Sequence, residues 1–180
     1  MNISTMSPHV MDHNLYYYNN KEEYRPLPSI LTNFIAFKLC DLLPIRPLPL
    51  GTKRTTPELV YFILKVTTEA RVSCHVAVIA LIYIERCKKS LPKHATGDQD
   101  TIHRIFVASI LIASKYLQGT TWGNNEMNNA TMATICYRFY TLQEINQLET
   151  SFLKLIKYNC FVHPLEVENY LSRHRQDLLL

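Results

Sequence analysis

The stretch from Ser73 to Cys87 restricts the possible folds of this chain more than any other. From Val76 to Ile84 nine consecutive residues are apolar, and no polar face interrupts them before Glu85. Nine is about half the 18 or more residues that span a bilayer, so the run is not a membrane segment. Its β-branched residues would suit a buried strand. However, the run continues past Glu85 into helix-compatible sequence, and the chain offers no strand of similar quality to pair with it. The reading is therefore a helix that is apolar all round, which is stable only when other helices enclose it.

The rest of the sequence supplies those helices. Ser29 is placed to cap a first helix over 29–43, which Pro44 ends. Residues 44–55 carry closely spaced prolines and form an extended connector. Thr56 then caps a helix with Pro57 at its first position, running to about Ala70. Ser73 caps the apolar helix. After a loop over 90–98, Asp98 or Asp100 starts a long helix to about Gln118, closed by Gly119. A loop rich in Thr, Asn and Gly leads to a shorter helix through Met132, Ile135 and Cys136. Thr141 and Glu144 form a capping box for an amphipathic helix over 142–157. A last helix begins at His163-Pro164, and residues 163–180 hold that helix and a tail. Residues 1–25 lack apolar periodicity and read as a flexible leader. The expected class is all-α.

Composition excludes several functions. With 180 residues, 47% hydrophobic and only 4 Gly, the chain suits one globular core, and no Gly-rich nucleotide loop is present. The net charge of +4 is too small to mark a nucleic-acid binder. Arg86, Lys88, Lys89 and Lys93 lack interleaved aromatics and read as a solvated face. Common short enzyme signatures are missing. Cys160-x-x-His163 offers two metal ligands where zinc wants three or four, and no second pair sits at useful spacing, so neither metal nor cofactor is expected. Cys74 and His75 point about 100° apart on a helix, which gives a core thiol beside a rim imidazole rather than a nucleophile and its base. The five cysteines never fall in a CxxC spacing, and most lie among apolar residues. With no secretory pattern over residues 1–20, they read as reduced, buried thiols of an intracellular chain.

Two charges stand out by position. Lys115 borders the apolar side of its helix, and Glu149 lies along the stripe of Leu142, Ile145 and Phe152. Charges at such places are costly to bury without partners. They therefore meet each other inside the chain, sit at an interface edge, or snorkel to the surface.

The order of segments resembles a known family. Ala113-Ser114-Lys115-Tyr116, preceded by the apolar helix 102–112, is similar to the third helix of a cyclin box. Leu142 to Ile156, with its Ile-Asn-x-Leu-Glu-x-x-Phe-Leu form, is similar to the fifth, and resembles the phosphate-regulatory (PHO80-like) subgroup of fungi and protists and their plant relatives. Ile84-Glu85-Arg86 ends a segment similar to the second box helix. The resemblance implies a single five-helix cyclin box over 57–162, with an extra N-terminal helix and a short C-terminal helix. It implies a regulatory subunit, not an enzyme, that activates a cyclin-dependent protein kinase (PHO85-like or related) by positioning its regulatory helix. Lys115 and Glu149 match the family's kinase-contacting lysine and glutamate. Ile112, Tyr116, Leu142, Ile145 and Phe152 would then add apolar contact area. A scaffold or transcription adaptor with the same fold is the competing expectation. The hydrophobic patch by which mitotic cyclins hold substrates is not evident around Leu59 to Leu64, so substrate choice is not implied.

Overall fold

The structure is a computed structural model that describes residues 24–53, 55–123 and 126–179. The leader expected over 1–25 lies outside the described residues up to residue 23. Among the described residues there are eight helices and no strand: α1 Ser29–Cys40, α2 Leu59–Glu69, α3 Cys74–Ser90, α4 Thr101–Leu117, α5 Asn129–Ile135, α6 Leu142–Leu155, α7 Pro164–Arg173 and α8 Arg175–Leu178. The chain is all-α, and its helix order is that of a five-helix cyclin box, α2 to α6, with α1 before it and α7 and α8 after it.

The centre is a helix pair rather than one helix. α3 buries Val76, Ala77 and Ile79 to Ile84, but Cys74 and His75 at its start are exposed. α4 is more enclosed still, burying thirteen of its seventeen residues. Small residues let neighbours close over it: Ala108, Ser109, Ala113 and Ser114 are all buried. A stripe reading of α4 finds one apolar face and misses that Ala and Ser also pack on the others.

Several helix starts differ from expectation. α1 begins without a side-chain cap: Pro28 holds the cap position, its carbonyl accepting from the N–H groups of Leu31 and Thr32 at 3.0 and 3.1 Å, and Ser29 is already helical. α1 also ends at Cys40 rather than 43, because a residue before proline is disfavoured in helical geometry and the chain leaves the helix ahead of Pro44. α2 is capped by Glu58, not Thr56. The Glu58 carboxylate accepts from the N–H groups of Val60 and Tyr61 at 3.0 and 2.9 Å. It spans two donors where a threonine hydroxyl reaches one. Neither Asp98 nor Asp100 caps α4 through its side chain; Asp100 takes Arg104 at 2.6 Å instead. Ser73 and the Thr141–Glu144 box cap as their positions predict, and the His163 side chain caps α7.

The connector after α1 is clipped to the loop after α3. Gly97 donates its N–H to the Pro44 carbonyl and accepts from Arg46, each at 2.9 Å. The C-terminal helices are held by α3. The Arg86 guanidinium donates to the carbonyls of Asn159 and Phe161 at 2.5 and 2.9 Å and to both oxygens of Glu166 at 2.9 and 2.8 Å. Its side chain is only 13% exposed, so Arg86 departs from the solvated basic face expected of it. Tyr83 donates its hydroxyl to the Cys160 carbonyl at 2.7 Å. These bonds hold a strained segment, since Lys157 and Tyr158 take consecutive left-handed conformations at φ 56° and 55°. An apolar cleft of about 870 Å³ remains among the starts of α1 and α3, the end of α4 and α7.

All five cysteines are free. Cys87 and Cys136 are buried, and burial pushes each thiol up to about 12. Cys40 and Cys74 are exposed, so the expectation of buried thiols fails for them. Cys74 occupies the first turn of α3 and lines the apolar cleft. His75 beside it stacks on Trp122 at 5.3 Å.

Candidate functional site

Three helices bring together a polar cluster at the end of α4. Lys115 lies in its last turn, where the helix dipole favours a cation. Its ammonium donates to Glu149 Oε1 of α6 at 2.6 Å and to Asn129 Oδ1 of α5 at 2.5 Å. The Asn129 amide donates in turn to Glu149 Oε2 and to Asn146 Oδ1, each at 2.7 Å. The two charges thus meet and are cross-braced by an amide. The pair is not sealed inside the chain, since the Lys115 side chain is 34% exposed and that of Glu149 17%.

Hydrogen-bond capacity remains at that rim. An ammonium has three donors and Lys115 uses two; Glu149 has lone pairs beyond the two bonds it accepts. The cluster is thereby rigid, charged and still able to bond to something outside it. It holds no nucleophile and base, and among the described residues no group of His, Cys, Asp and Glu is placed to hold a metal. Beside it, Ala130, Ala133, Thr134, Tyr137 and Leu142 line a shallow depression between α5 and the start of α6.

The other expected site residues divide. Leu142 is 47% exposed, at the first turn of α6. Ile112, Ile145 and Phe152 are buried at 5%, 0% and 3% exposure, so their area is already enclosed and they act as the floor behind the charges. Tyr116 turns away from Lys115. Its hydroxyl donates to the Val162 carbonyl at 3.3 Å and accepts from the Val162 N–H at 3.2 Å, tying α4 to the segment after α6. Asn129, Asn146 and Tyr137 were not anticipated. Asn129 follows Asn128, whose side chain caps α5 at the Thr131 N–H, 2.9 Å away. An Asn-Asn pair before a helix is the signal that could have found it, the first as cap and the second free to reach sideways.

Comparison with known proteins agrees with the all-helical fold. Residues 44–160 match the family described as "Cyclin, N-terminal domain". The chain is 29% identical over 141 residues to PHO85 cyclin-1 of Saccharomyces cerevisiae, covering 75% of this chain and 49% of the relative. It is 23% identical over 171 residues to PHO85 cyclin-9 of the same yeast, covering 87% of this chain and 54% of the relative. The chain thus spans about half the length of the curated relatives it matches. No solved structure matches it. No helix among the described residues is long and apolar enough to cross a membrane.

Proposed function

Because the chain belongs to the cyclin family, we propose that it is a regulatory subunit of a cyclin-dependent protein kinase, and that the Lys115–Asn129–Glu149 cluster is part of its kinase-facing surface. One observation carries this reading. A charged pair braced by Asn129 stands at a rim, with unused hydrogen-bond capacity, beside a shallow depression that ends at exposed Leu142. Paired charges at an interface fix register and orientation, and the apolar surface around them supplies area. The cyclin contributes no reacting group. Packing against the small lobe of the kinase, it turns the kinase's regulatory helix so that a glutamate there pairs with the ATP-positioning lysine. We place the box at 57–162 and assign direct contact to Lys115, Glu149 and Leu142. Ile112, Ile145 and Phe152 support that surface from behind, and Tyr116 supports it through the α6–α7 junction.

The finer assignment is to the PHO80-like subgroup, with a PHO85-type kinase as partner in the cytoplasm or nucleus. The run Ile145-Asn146-Gln147-Leu148-Glu149-Thr150-Ser151-Phe152-Leu153 and the extra helix α1 support it, as do the names of the two yeast relatives.

Affinity purification from the native source, followed by mass spectrometry and a kinase assay, tests the reading. A cyclin-dependent kinase is expected, with association falling at least about ten-fold in Lys115→Ala and Glu149→Ala. Folding stability should fall only modestly, by about 1–2 kcal/mol, because each truncation removes hydrogen bonds at a partly exposed site where water can replace them. Recovery of transcription or scaffold proteins without such a kinase would overturn the activator reading. Variants that unfold while keeping their affinity would overturn the site assignment.

A further inference from the structure

Every residue from Arg46 to Lys53 is exposed, in a stretch that covalent geometry alone makes stiff. Pro47 and Pro49 have φ fixed at about −65°, and Arg46 and Leu48, each preceding a proline, are held to extended backbone. Thr52 donates its N–H to the Pro49 carbonyl at 3.1 Å, closing a turn with Gly51 at φ 84° in its third position. That is type II geometry, in which the second residue, here Leu50, also takes polyproline-II angles. Arg46 to Leu50 therefore all favour polyproline II, a helix whose backbone stays open to solvent.

This strap is anchored at its start. Pro44 and Arg46 are clipped to Gly97, and the Gln99 side-chain amide donates to the Arg46 carbonyl at 2.7 Å. Ile45 packs partly against the core, so the free strap begins at Arg46. Polyproline II repeats every three residues, which places Pro47 and Leu50 on one edge. Leu50 is fully exposed and Leu48 is 37% exposed. A single exposed leucine is ordinary. Two leucines alternating with prolines on a stiff, anchored strap form the kind of ligand that aromatic-lined grooves read, because little conformational freedom is left to lose on binding. Arg46 and Lys53 flank the leucines with positive charge. Arg46 pairs with Asp98 at 2.6 Å, but the two side chains are 63% and 69% exposed, so a partner's carboxylate can replace Asp98 at little cost.

We propose that residues 46–50 dock a second protein, a domain with an aromatic-lined groove that reads polyproline II and carries an acidic rim. Pro47 and Leu50 enter the groove, and Arg46 meets the rim. The Gly97 clip holds the strap near the start of α4, whereas Lys115 stands in that helix's last turn, about 20 Å away along the axis. The strap and the Lys115–Asn129–Glu149 surface can be occupied together, and the proposal stands whether or not the kinase assignment does.

Titration of the full chain into a panel of purified Src-homology-3 and WW domains, read by the fluorescence of each domain's groove tryptophan, tests this. At least one domain should bind saturably. Leu50→Ser should weaken that complex roughly ten-fold or more, and Pro49→Ala, which loosens the strap while keeping both leucines, should weaken it several-fold. Arg46→Glu should weaken it most at low salt. Leu50→Ser should melt with wild type, because the side chain it changes is exposed. Lys115→Ala should leave the panel affinities unchanged, and Leu50→Ser should leave kinase association unchanged. Kinase association that falls with Leu50→Ser would make the strap part of the kinase-facing surface and overturn its assignment to a second partner. No saturable binding across the panel, or affinities unchanged in both Leu50→Ser and Pro49→Ala, would overturn the docking proposal and leave the strap a rigid spacer between α1 and α2.

Discussion

Asn129 commits both ends of its amide to the Lys115–Glu149 pair, and each end satisfies the charge it faces. Replacing it with alanine removes an acceptor from the ammonium and a donor from the carboxylate, while the charges remain. Asn129→Ala should therefore lower stability by about 1–2 kcal/mol, less than the sum of its bonds because the partly exposed site admits water. A urea midpoint unchanged from wild type would mean that water replaces the amide fully. Lys115 and Glu149 were legible in the sequence because both lie on long, regular helices, where a charge on an apolar stripe is conspicuous. Asn129 was not, since a loop separates it from both partners and periodicity carries no register across a loop. The same limit hid Tyr116's direction. Its stripe position is correct, but the α6–α7 segment that captures its hydroxyl has no regular repeat.

At the scale of elements, caps were legible where a small side chain precedes a helix and less so where geometry offered a better acceptor. Thr141 and Glu144 form the predicted box, with the Thr141 N–H donating to Glu144 at 2.7 Å. That backbone bond, joined by the Thr141 hydroxyl, holds the Glu144 carboxyl below the usual carboxylate range. A depressed folded value means that the contribution is fully present above the unfolded carboxylate pKa, about 4.3, and is lost as pH falls through the lower folded value. Glu144→Gln should flatten the acid limb of stability against pH by lowering stability at pH 7 while changing little near pH 3, read as urea midpoints from pH 3 to 7. An unchanged acid limb would show that the box does not couple to protonation. Glu58 at the start of α2 shows the reverse case. Thr56-Pro57 is a good helix signal, yet the His103 ring bonds the Pro57 carbonyl at 3.0 Å and keeps that residue outside the helix. Such a contact, 46 residues away in sequence, has no local signature.

For the molecule as a whole, the all-helical class and the helix order followed from periodicity, because each apolar stripe is long enough to fix its own element. How the C-terminal helices attach did not, because it depends on one arginine that composition places in a basic run. Arg86 binds two carbonyls of the segment after α6 and the carboxylate of α7 at once. Removing it strands a half-exposed Glu166 and two carbonyls, and it frees the left-handed Lys157 and Tyr158 to relax. Arg86→Ala should cost about 3 kcal/mol, near the lower end for a broken buried pair because Glu166 regains water. Hydrogen exchange then separates two architectures. If α7 and α8 are docked on a self-sufficient box, amides of 157–178 lose protection while those of α4 and α6 keep theirs. Kinase association through Lys115 and Glu149 persists in that case. Equal loss of protection throughout α4 and α6 would instead make the clamp part of the core, and kinase association would fail with it.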